Sequence, residues 1–238
     1  MTKYLIVNAD DFGLSLGVNA GIARAHEVGV LTSASLMARC GSVDDAVAYA
    51  LDHPRLSLGL HVDLGEWAFR KGEWAPIYQR VHVDDEGAVT DEVAAQLALF
   101  HELVGRNPTH LDSHQHVHRR EPVRSVLRRA AKLLGVPLRE YTSGIGYSGQ
   151  FYGQTTEGEP LPELISVHGL LRILATLPDG ITELSCHPGS DGVANTTYRD
   201  ERGVELATLC DSSVISALNT LGIQLCSFQS PVVEALTA

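Results

Sequence analysis

The chain has 238 residues, 44% hydrophobic and 20% charged, which is enough for one domain with a sizeable core over residues 1–238. Eighteen basic and 29 acidic residues give a formal net charge of −11, which argues against nucleic acid or an anionic membrane as a partner. No apolar run approaches the length of a membrane span, and the N-terminus lacks a signal-peptide pattern. The four cysteines are scattered without a CxxC pair, so we expect reduced thiols and a cytoplasmic protein.

Apolar, β-branched runs alternate along the chain with segments of helical periodicity. In chain order the pattern predicts strand Lys3–Ala9, helix Val18–Glu27, strand Leu31–Ala38, helix Val43–Asp52, strand Leu56–Val62, helix Asp91–Gly105, strand Thr109–Ser113, helix Pro122–Leu134, strand Val136–Glu140, helix Pro162–Leu177, strand Ile181–Cys186, helix Glu201–Leu221 and strand Ile223–Phe228. This alternation is typical of parallel βα units, which form a barrel or a doubly wound sheet. No GxGxxG follows the first strand, and polar residues end several strands, so a barrel is favoured.

Two adjacent carboxylates, Asp10 and Asp11, follow the first predicted strand in the motif NADDFG. Neighbouring acids at a strand end repel each other and are costly to bury unless a cation or a proton compensates one of them. A metal ion that binds one carboxylate and leaves the other as a general base would resolve this conflict. Either aspartate could instead cap the next helix, and the pattern leaves both interpretations open.

The motif THLDSHQHVH spans Thr109–His118 and places its chemistry-bearing residues at even positions: His110, Asp112, His114, His116 and His118. Alternate residues of an extended strand share a face, so an uninterrupted strand would direct all five side chains one way. Imidazole and carboxylate groups are ligands for zinc and similar divalent ions, and catalytic zinc sites typically use three protein ligands. A solvated, histidine-rich loop is the alternative.

Two other predicted strands carry a histidine at or just beyond their C-terminal end. In LGLHVDL, the small Gly59 shares a face with His61 and would leave space beside its imidazole, although a lone strand histidine is more often a satisfied core residue. In ELSCHPG, Pro188 and Gly189 turn the chain after His187 and would place its ring at the mouth of a site. That position suits a general acid working across the site from the aspartates, and a histidine that only hydrogen-bonds the turn is the alternative.

A long segment rich in Gly, Ser, Gln and Tyr, Tyr141–Pro160, has the composition of a lid or a binding loop, with disorder as the alternative. Three aromatic residues, Trp67, Phe69 and Trp74, follow the His61 strand. They could form a wall that contacts a sugar, or they could pack beneath their own loop.

The motifs IVNADDFGLS, GVLTSASLMA, LSLGLHVDL, PTHLDSHQHVH and TELSCHPG, in this order, resemble those of the YdjC-like carbohydrate deacetylases, which include chitooligosaccharide deacetylases. The resemblance extends from Tyr4 to Phe228, and the segments FYGQ and YRDERGVEL resemble the branch found beside hopanoid-biosynthesis genes. It implies a deformed TIM-like (β/α) barrel of about seven strands that holds one divalent metal ion, Mg²⁺ or Zn²⁺. The implied activity is removal of acetyl groups from N-acetylated sugars, by a hydrolase acting on C–N bonds other than peptide bonds.

The resemblance also implies roles for individual residues, carried over by motif position. The implied metal ligands are Asp11, His61 and His114. Asp10 would be the catalytic base and His187 the acid, although an exchange of roles between Asp10 and Asp11 stays open. Arg139 and Tyr152 are the expected substrate-binding residues, and Arg139 falls where family members often carry an arginine that could orient the base.

The expected partner is a small N-acetylated sugar, and the sequence leaves its identity, its chain length, the native metal and a homo-oligomeric state open. Another metallohydrolase, such as a phosphoesterase, would need a second metal or a basic clamp, and few basic residues flank the motifs. A non-catalytic sugar-binding relative would be expected to have lost Asp10, Asp11 or His187, and all three are present.

Overall fold

The computed structural model describes residues 2–190 and 198–236. The strands are β1 (Lys3–Phe12), β2 (Ser33–Leu36), β3 (Ser57–Val62), β4 (Gly65–Arg70), β5 (Glu73–Gln79), β6 (Leu111–Ser113), β7 (Ile145–Ser148), β8 (Gly180–Cys186) and β9 (Ile223–Cys226). The helices are α1 (Leu16–Val28), α2 (Val43–Asp52), α3 (Glu86–Val104), α4 (Val123–Leu134), α5 (Val167–Thr176), α6 (Glu201–Leu209), α7 (Ser212–Thr220) and α8 (Pro231–Glu234), and a 3₁₀ turn spans His114–Arg119. None of these helices combines the length and the apolar character that a membrane crossing requires.

The main sheet is parallel and curled, with the strand order β6-β3-β2-β1-β8-β7. β1 lies near its centre, where it pairs with β8 along Lys3–Ala9, with β9 at its beginning and with β2 at its end. Beyond β6, the predicted strand Val136–Glu140 is reduced to a single bridge between Leu138 and Leu111. No pairing joins this end of the sheet to β7 in the described part of the chain, so the sheet forms a half-barrel. The prediction of a deformed barrel is confirmed.

Local sequence signals set the ends of several helices. The side chains of Ser15 and Asp85 cap α1 and α3 by accepting a hydrogen bond from a backbone N–H of the first turn. Gly105 and Gly135 end α3 and α4 in the left-handed conformation, which glycine adopts at low cost. Because these signals are local, α1, α2 and α4 agree with the predicted helices to within two residues. In contrast, α3 begins five residues before the predicted start at Asp91, and α5 begins five residues after the predicted start at Pro162.

The structure departs from the predicted elements where long-range pairing or a short turn decides the outcome. An antiparallel hairpin, β4–β5, follows β3, and its tight turn places Lys71 and Gly72 at φ values of 55° and 86°. Within Tyr141–Pro160, four residues form β7 because β8 offers a free parallel edge. The predicted helix Glu201–Leu221 is two helices, because Asp211 interrupts it and caps α7.

The His110 ring fills the space beside Gly59, which the sequence analysis expected to lie open next to the His61 imidazole. The His110 ring stacks on Phe228 with 3.7 Å between ring centroids, and its Nε2 lies 3.0 Å from Ser35 Oγ. A Cβ atom on Gly59 would lie 2.4 Å from the His110 ring. The absence of a side chain at Gly59 therefore accommodates a packed histidine rather than a metal ion.

We expect Gly59→Ala to lower the free energy of unfolding by about 1–3 kcal/mol, because the added methyl group displaces the packed His110 ring. Gly203→Ala is the control, since no described atom lies within 4 Å of a Cβ at that helical position. The control should leave stability unchanged or raise it by up to about 1 kcal/mol. Urea unfolding measures both variants, and wild-type stability of Gly59→Ala would contradict the packing argument.

Candidate active site

The two carboxylates of NADDFG lie at the C-terminal end of β1, where the strand departs from regular geometry. Asp11 has a left-handed backbone with φ of 68°, and the pairing of β1 with β2 shifts register between Ala9 and Phe12. In a regular strand neighbouring side chains point to opposite faces, whereas Asp10 and Asp11 line the same cavity. The bulge therefore allows one short motif to supply two carboxylates to one site.

Asp11, His61 and His114 form a buried cluster with the composition of a metal site. Asp11 Oδ1 lies 3.0 Å from His114 Nδ1 and 3.5 Å from His61 Nε2, and one potential ligand atom of each residue lies within 4.8 Å of the others. Asp112 accepts a hydrogen bond from His61 Nδ1 at 2.7 Å, which leaves Nε2 directed at Asp11. His114 Nε2 is buried and has no hydrogen-bond partner among the described residues. This donor set fits a divalent ion: it has the carboxylate of Asp11 and the imidazoles of His61 and His114 as candidate ligands. The Asp112 carboxylate orients the His61 ring from behind, as is common for histidine ligands.

Charged neighbours set the ionisation of this cluster. Arg202 Nη2 donates to Asp11 Oδ2 at 2.6 Å, which leaves Oδ1 facing the two imidazoles. Burial raises the pKa of Asp11, but Arg202 and His114 hold it well below its usual range. Burial lowers the pKa of His61, but Asp112 and Asp10 together raise it to about 9. The carboxylates around His61 thus favour a positive charge here, whether a proton or a metal ion supplies it.

Arg139 is a buried guanidinium shared by three carboxylates. Its Nη1 and Nη2 donate to the two oxygens of Asp10 at 2.8 and 2.7 Å. Nη2 also lies 2.7 Å from Asp112 and 2.8 Å from Glu183. Asp10, His61 and Asp112 could in principle hold a metal ion, but Arg139 already pairs with both of these carboxylates. Its side chain is fully buried and lies outside the cavity lining, so the geometry favours orientation of Asp10 over the expected substrate contact.

His187 follows β8 and lies beside Asp10. Its Nε2 is 3.7 Å from Asp10 Oδ2, and its Nδ1 is 4.0 Å from Glu205 Oε1. The backbone N–H of His187 donates to the Glu205 carboxylate, which anchors the turn. Burial lowers the pKa of His187 to about 4, against the opposing effect of Asp10 and Asp11, so the ring is neutral at pH 7. The base and acid candidates are therefore neighbours rather than groups on opposite sides of the site.

The cavity above these residues has a volume of about 440 Å³. Tyr152 lines it, with its ring stacked on Tyr198 at 4.5 Å and 5.4 Å from the His187 ring. The β4–β5 hairpin contributes Trp74 at the rim, whereas Trp67 packs against the core. The segment expected to be a binding loop therefore does line the cavity. The hairpin also lines it, through Trp74 and Glu66.

The histidine-rich motif does not continue as a strand beyond Ser113. The 3₁₀ turn begins at His114, and Gln115 and His116 adopt left-handed φ values of 50° and 53°. The turn rotates each side chain differently, so the expectation of five side chains on one face is wrong. His110 packs inside the sheet, and His114 is the histidine of this motif that reaches the carboxylate cluster.

A second group, His116, His118 and Glu140, also has ligand-type side chains. Both ring nitrogens of His118 are paired, with Ser113 Oγ at 2.7 Å and Glu140 Oε2 at 3.2 Å. Arg119 donates two hydrogen bonds to the Glu140 carboxylate, at 2.6 and 2.8 Å. These pairs and the adjacent cation make this group a poor metal site.

Comparisons with known proteins identify the family of this chain. The profile of the family described as YdjC-like protein matches residues 4–220. The chain belongs to the YdjC-like family. It is 32% identical to a carbohydrate deacetylase of Geobacillus stearothermophilus, over 96% of this chain and 98% of the relative. It is 30% identical to a chitooligosaccharide deacetylase of Serratia marcescens, over 96% of this chain and 99% of the relative.

A solved structure with a similar fold comes from Enterococcus faecalis V583 and is described provisionally as a cellobiose-phosphate cleavage protein. Its TM-score is 0.74 at 26% identity, with 96% of this chain and 98% of that chain covered. The family resemblance drawn from the five sequence motifs is confirmed.

Two buried charged residues of this YdjC-like site, Arg202 and Glu205 on α6, were missed at the level of sequence. They are 2% and 0% exposed. Arg202 and Glu205 are three residues apart and lie on the helix face that also carries Leu206 and Leu209. This pattern is the signal that could have revealed them, because charged groups on an apolar face need buried partners.

Glu183 is the carboxylate beside Arg139 whose protonation we expect to govern stability near neutral pH. Burial raises its pKa from 4.5 to about 7, although Arg139 opposes the shift. The folded chain therefore holds this proton more tightly than the unfolded chain, and stability falls as pH rises between these two values. Glu183→Gln keeps an oxygen acceptor for Arg139 and has no proton to lose.

We accordingly expect the stability of Glu183→Gln relative to wild type to increase between about pH 5 and pH 8, in urea titrations at several pH values. The difference between the two proteins isolates this group from the other titrating residues. A difference that does not change with pH would contradict the assignment of the proton to Glu183.

Proposed function

We propose that the protein is a metal-dependent deacetylase that hydrolyses the acetamide group of an N-acetylated sugar or short oligosaccharide. The observation that carries the proposal is the ligand-type cluster Asp11–His61–His114 next to Asp10, a carboxylate fixed by two hydrogen bonds, in one cavity. The deacetylase relatives at 30% and 32% identity support the substrate class.

Asp11, His61 and His114 would hold one divalent ion. When bound, the ion supplies Lewis acidity to the acetamide carbonyl and to the attacking water. Between the two metals expected from the sequence, the two imidazoles favour Zn²⁺, because Mg²⁺ prefers an all-oxygen shell.

Asp10 is the proposed general base. The two parallel hydrogen bonds from Arg139, at 2.7 and 2.8 Å, fix the plane of its carboxylate. Asp10 also lines the cavity, so its carboxylate would be within reach of a water molecule that attacks an acetamide bound there. A positioned base of this kind removes the proton of the water as the new C–O bond forms.

His187 is the proposed general acid. Its ring is neutral at pH 7, since burial lowers its pKa to about 4, so it must receive a proton before it donates one. The proton accepted by Asp10 is then close to His187 Nε2, which lies 3.7 Å from Asp10 Oδ2. A protonated imidazole with a low pKa is a strong acid toward the departing amine nitrogen.

A phosphoesterase is the less favoured alternative. Besides one metal ion, such an enzyme needs a second metal ion or a basic side chain in the cavity that can bind the phosphate oxygens. The two arginines of the described cavity lining, Arg119 and Arg202, are paired with Glu140 and Asp11. Neither guanidinium is thus available without loss of a buried or bidentate ion pair.

The direct test is acetate release from a panel of N-acetylated mono- and oligosaccharides, with and without a chelator. We expect release by the metal-loaded protein, its loss on chelation, and recovery when Zn²⁺ or Mg²⁺ is added back. A well-folded, metal-loaded protein that releases acetate from none of the sugars would overturn the proposal.

The two aspartates should respond differently to the same substitution. Asp10→Asn should retain the metal but lose activity by about 10²–10⁴-fold, the usual cost of a missing general base. Asp11→Asn should weaken metal binding instead, because it replaces a charged ligand with a neutral amide. Metal content and acetate release, measured on both variants, check this, and the reverse pattern would show that the roles are exchanged.

A further inference from the structure

We propose that His116 binds a ring hydroxyl group of the sugar whose acetamide is hydrolysed, through its Nδ1 atom. The inference rests on the proposed function, because His116 lines the same cavity as Asp10 and His187. His116 would then be a specificity-determining residue of that site, and the group that it recognises would be a sugar hydroxyl.

The backbone around His116 is held in an uncommon conformation. Gln115 and His116 have φ values of 50° and 53°, a left-handed region that few residues other than glycine adopt. The Gln115 side chain stabilises this turn, since its Nε2 donates to the Trp67 carbonyl at 2.8 Å and its Oε1 accepts from the Trp67 N–H at 2.9 Å. Backbone outliers held by their surroundings are concentrated at functional sites. Here the turn places His116 in the cavity wall.

The two ring nitrogens of His116 differ in their surroundings. Nε2 lies 3.3 Å from the Tyr147 hydroxyl, which in turn lies 2.8 Å from Ser185 Oγ. Nδ1 is buried and has no hydrogen-bond partner among the described residues. Buried polar atoms are nearly always paired, and His116 is one of the residues that line the cavity. The unpaired nitrogen of this residue therefore indicates a partner on the ligand.

The chain of groups behind the ring favours a hydroxyl as that partner. Hydroxyls of Ser185 and Tyr147 can each donate or accept, so reversing their hydrogen bonds changes which nitrogen of His116 carries the proton. Nδ1 can therefore act as a donor or an acceptor, as a sugar hydroxyl also can. Arg119 and Arg139 lie 5.8 and 5.4 Å from the Tyr147 ring centre, and these cations disfavour both a metal ion and a protonated imidazole beside it.

The test compares the best N-acetylated substrate with analogues that each lack one ring hydroxyl. For wild type, we expect one deoxy analogue to lower kcat/KM by about tenfold, the usual effect of one lost hydrogen bond. In His116→Asn the parent substrate should lose about tenfold, and the further loss on that analogue should disappear, because the two changes remove the same contact. Asparagine tolerates the left-handed backbone, and His116→Gly provides a second variant that adopts it freely.

His118→Asn is the matched control, since this histidine belongs to the same turn but has both ring nitrogens paired with protein groups. It should lower the melting temperature while keeping wild-type discrimination between the parent sugar and each analogue. Folded His116 variants that also keep the full wild-type discrimination would overturn the inference. No acetate release by metal-loaded wild type would instead overturn the proposed function, and this inference with it.

Discussion

The ion pairs of Arg139 are the interaction on which the rest of the site depends. Its guanidinium contacts Asp10, Asp112 and Glu183, all of them nearly or fully buried. Without a cation, three buried carboxylates would repel one another and would take up protons. With it, Asp10 keeps a fixed orientation and Asp112 holds the His61 ring, so one buried charge serves both the proposed base and the proposed metal ligands.

The parallel sheet explains why residues far apart in sequence meet around this charge. β1, β3, β6 and β8 end at one edge of the half-barrel, and each places a polar side chain there. α6 then closes the edge from outside with Arg202, which pairs with Asp11, and with Glu205, which anchors the His187 turn. The hairpin adds a rim, and Gln115 ties it to the turn that carries His114 and His116.

Much of this arrangement could be predicted, because it depends on local signals. The strand-end positions of Asp10, Asp11, His61 and His187 follow from runs of apolar residues, and the structure brings all four together. The roles of these residues stay predictions that the geometry supports. The family and the barrel-like fold were evident from ordered motifs and from alternating strands and helices.

The remaining features depend on contacts between distant segments, which hydropathy patterns do not encode. The bulge at Asp11 and the left-handed turn at Gln115 rotate side chains away from the faces that regular periodicity assigns to them. Arg139 lies on a predicted strand that the structure reduces to a bridge, and its partners come from three other parts of the chain. The partnership of His61 with Asp112 likewise appears only when β3 and β6 pair.

The most direct test of this account is the location of the metal ion, determined by anomalous diffraction from crystals grown with Zn²⁺. We expect one strong peak bound by Asp11, His61 and His114, with ligand distances of about 2.0–2.2 Å. Arg139 should remain paired with Asp10, which should stay outside the coordination shell. A zinc peak on His116, His118 and Glu140, with the Asp11 cluster empty in the same crystals, would contradict the account.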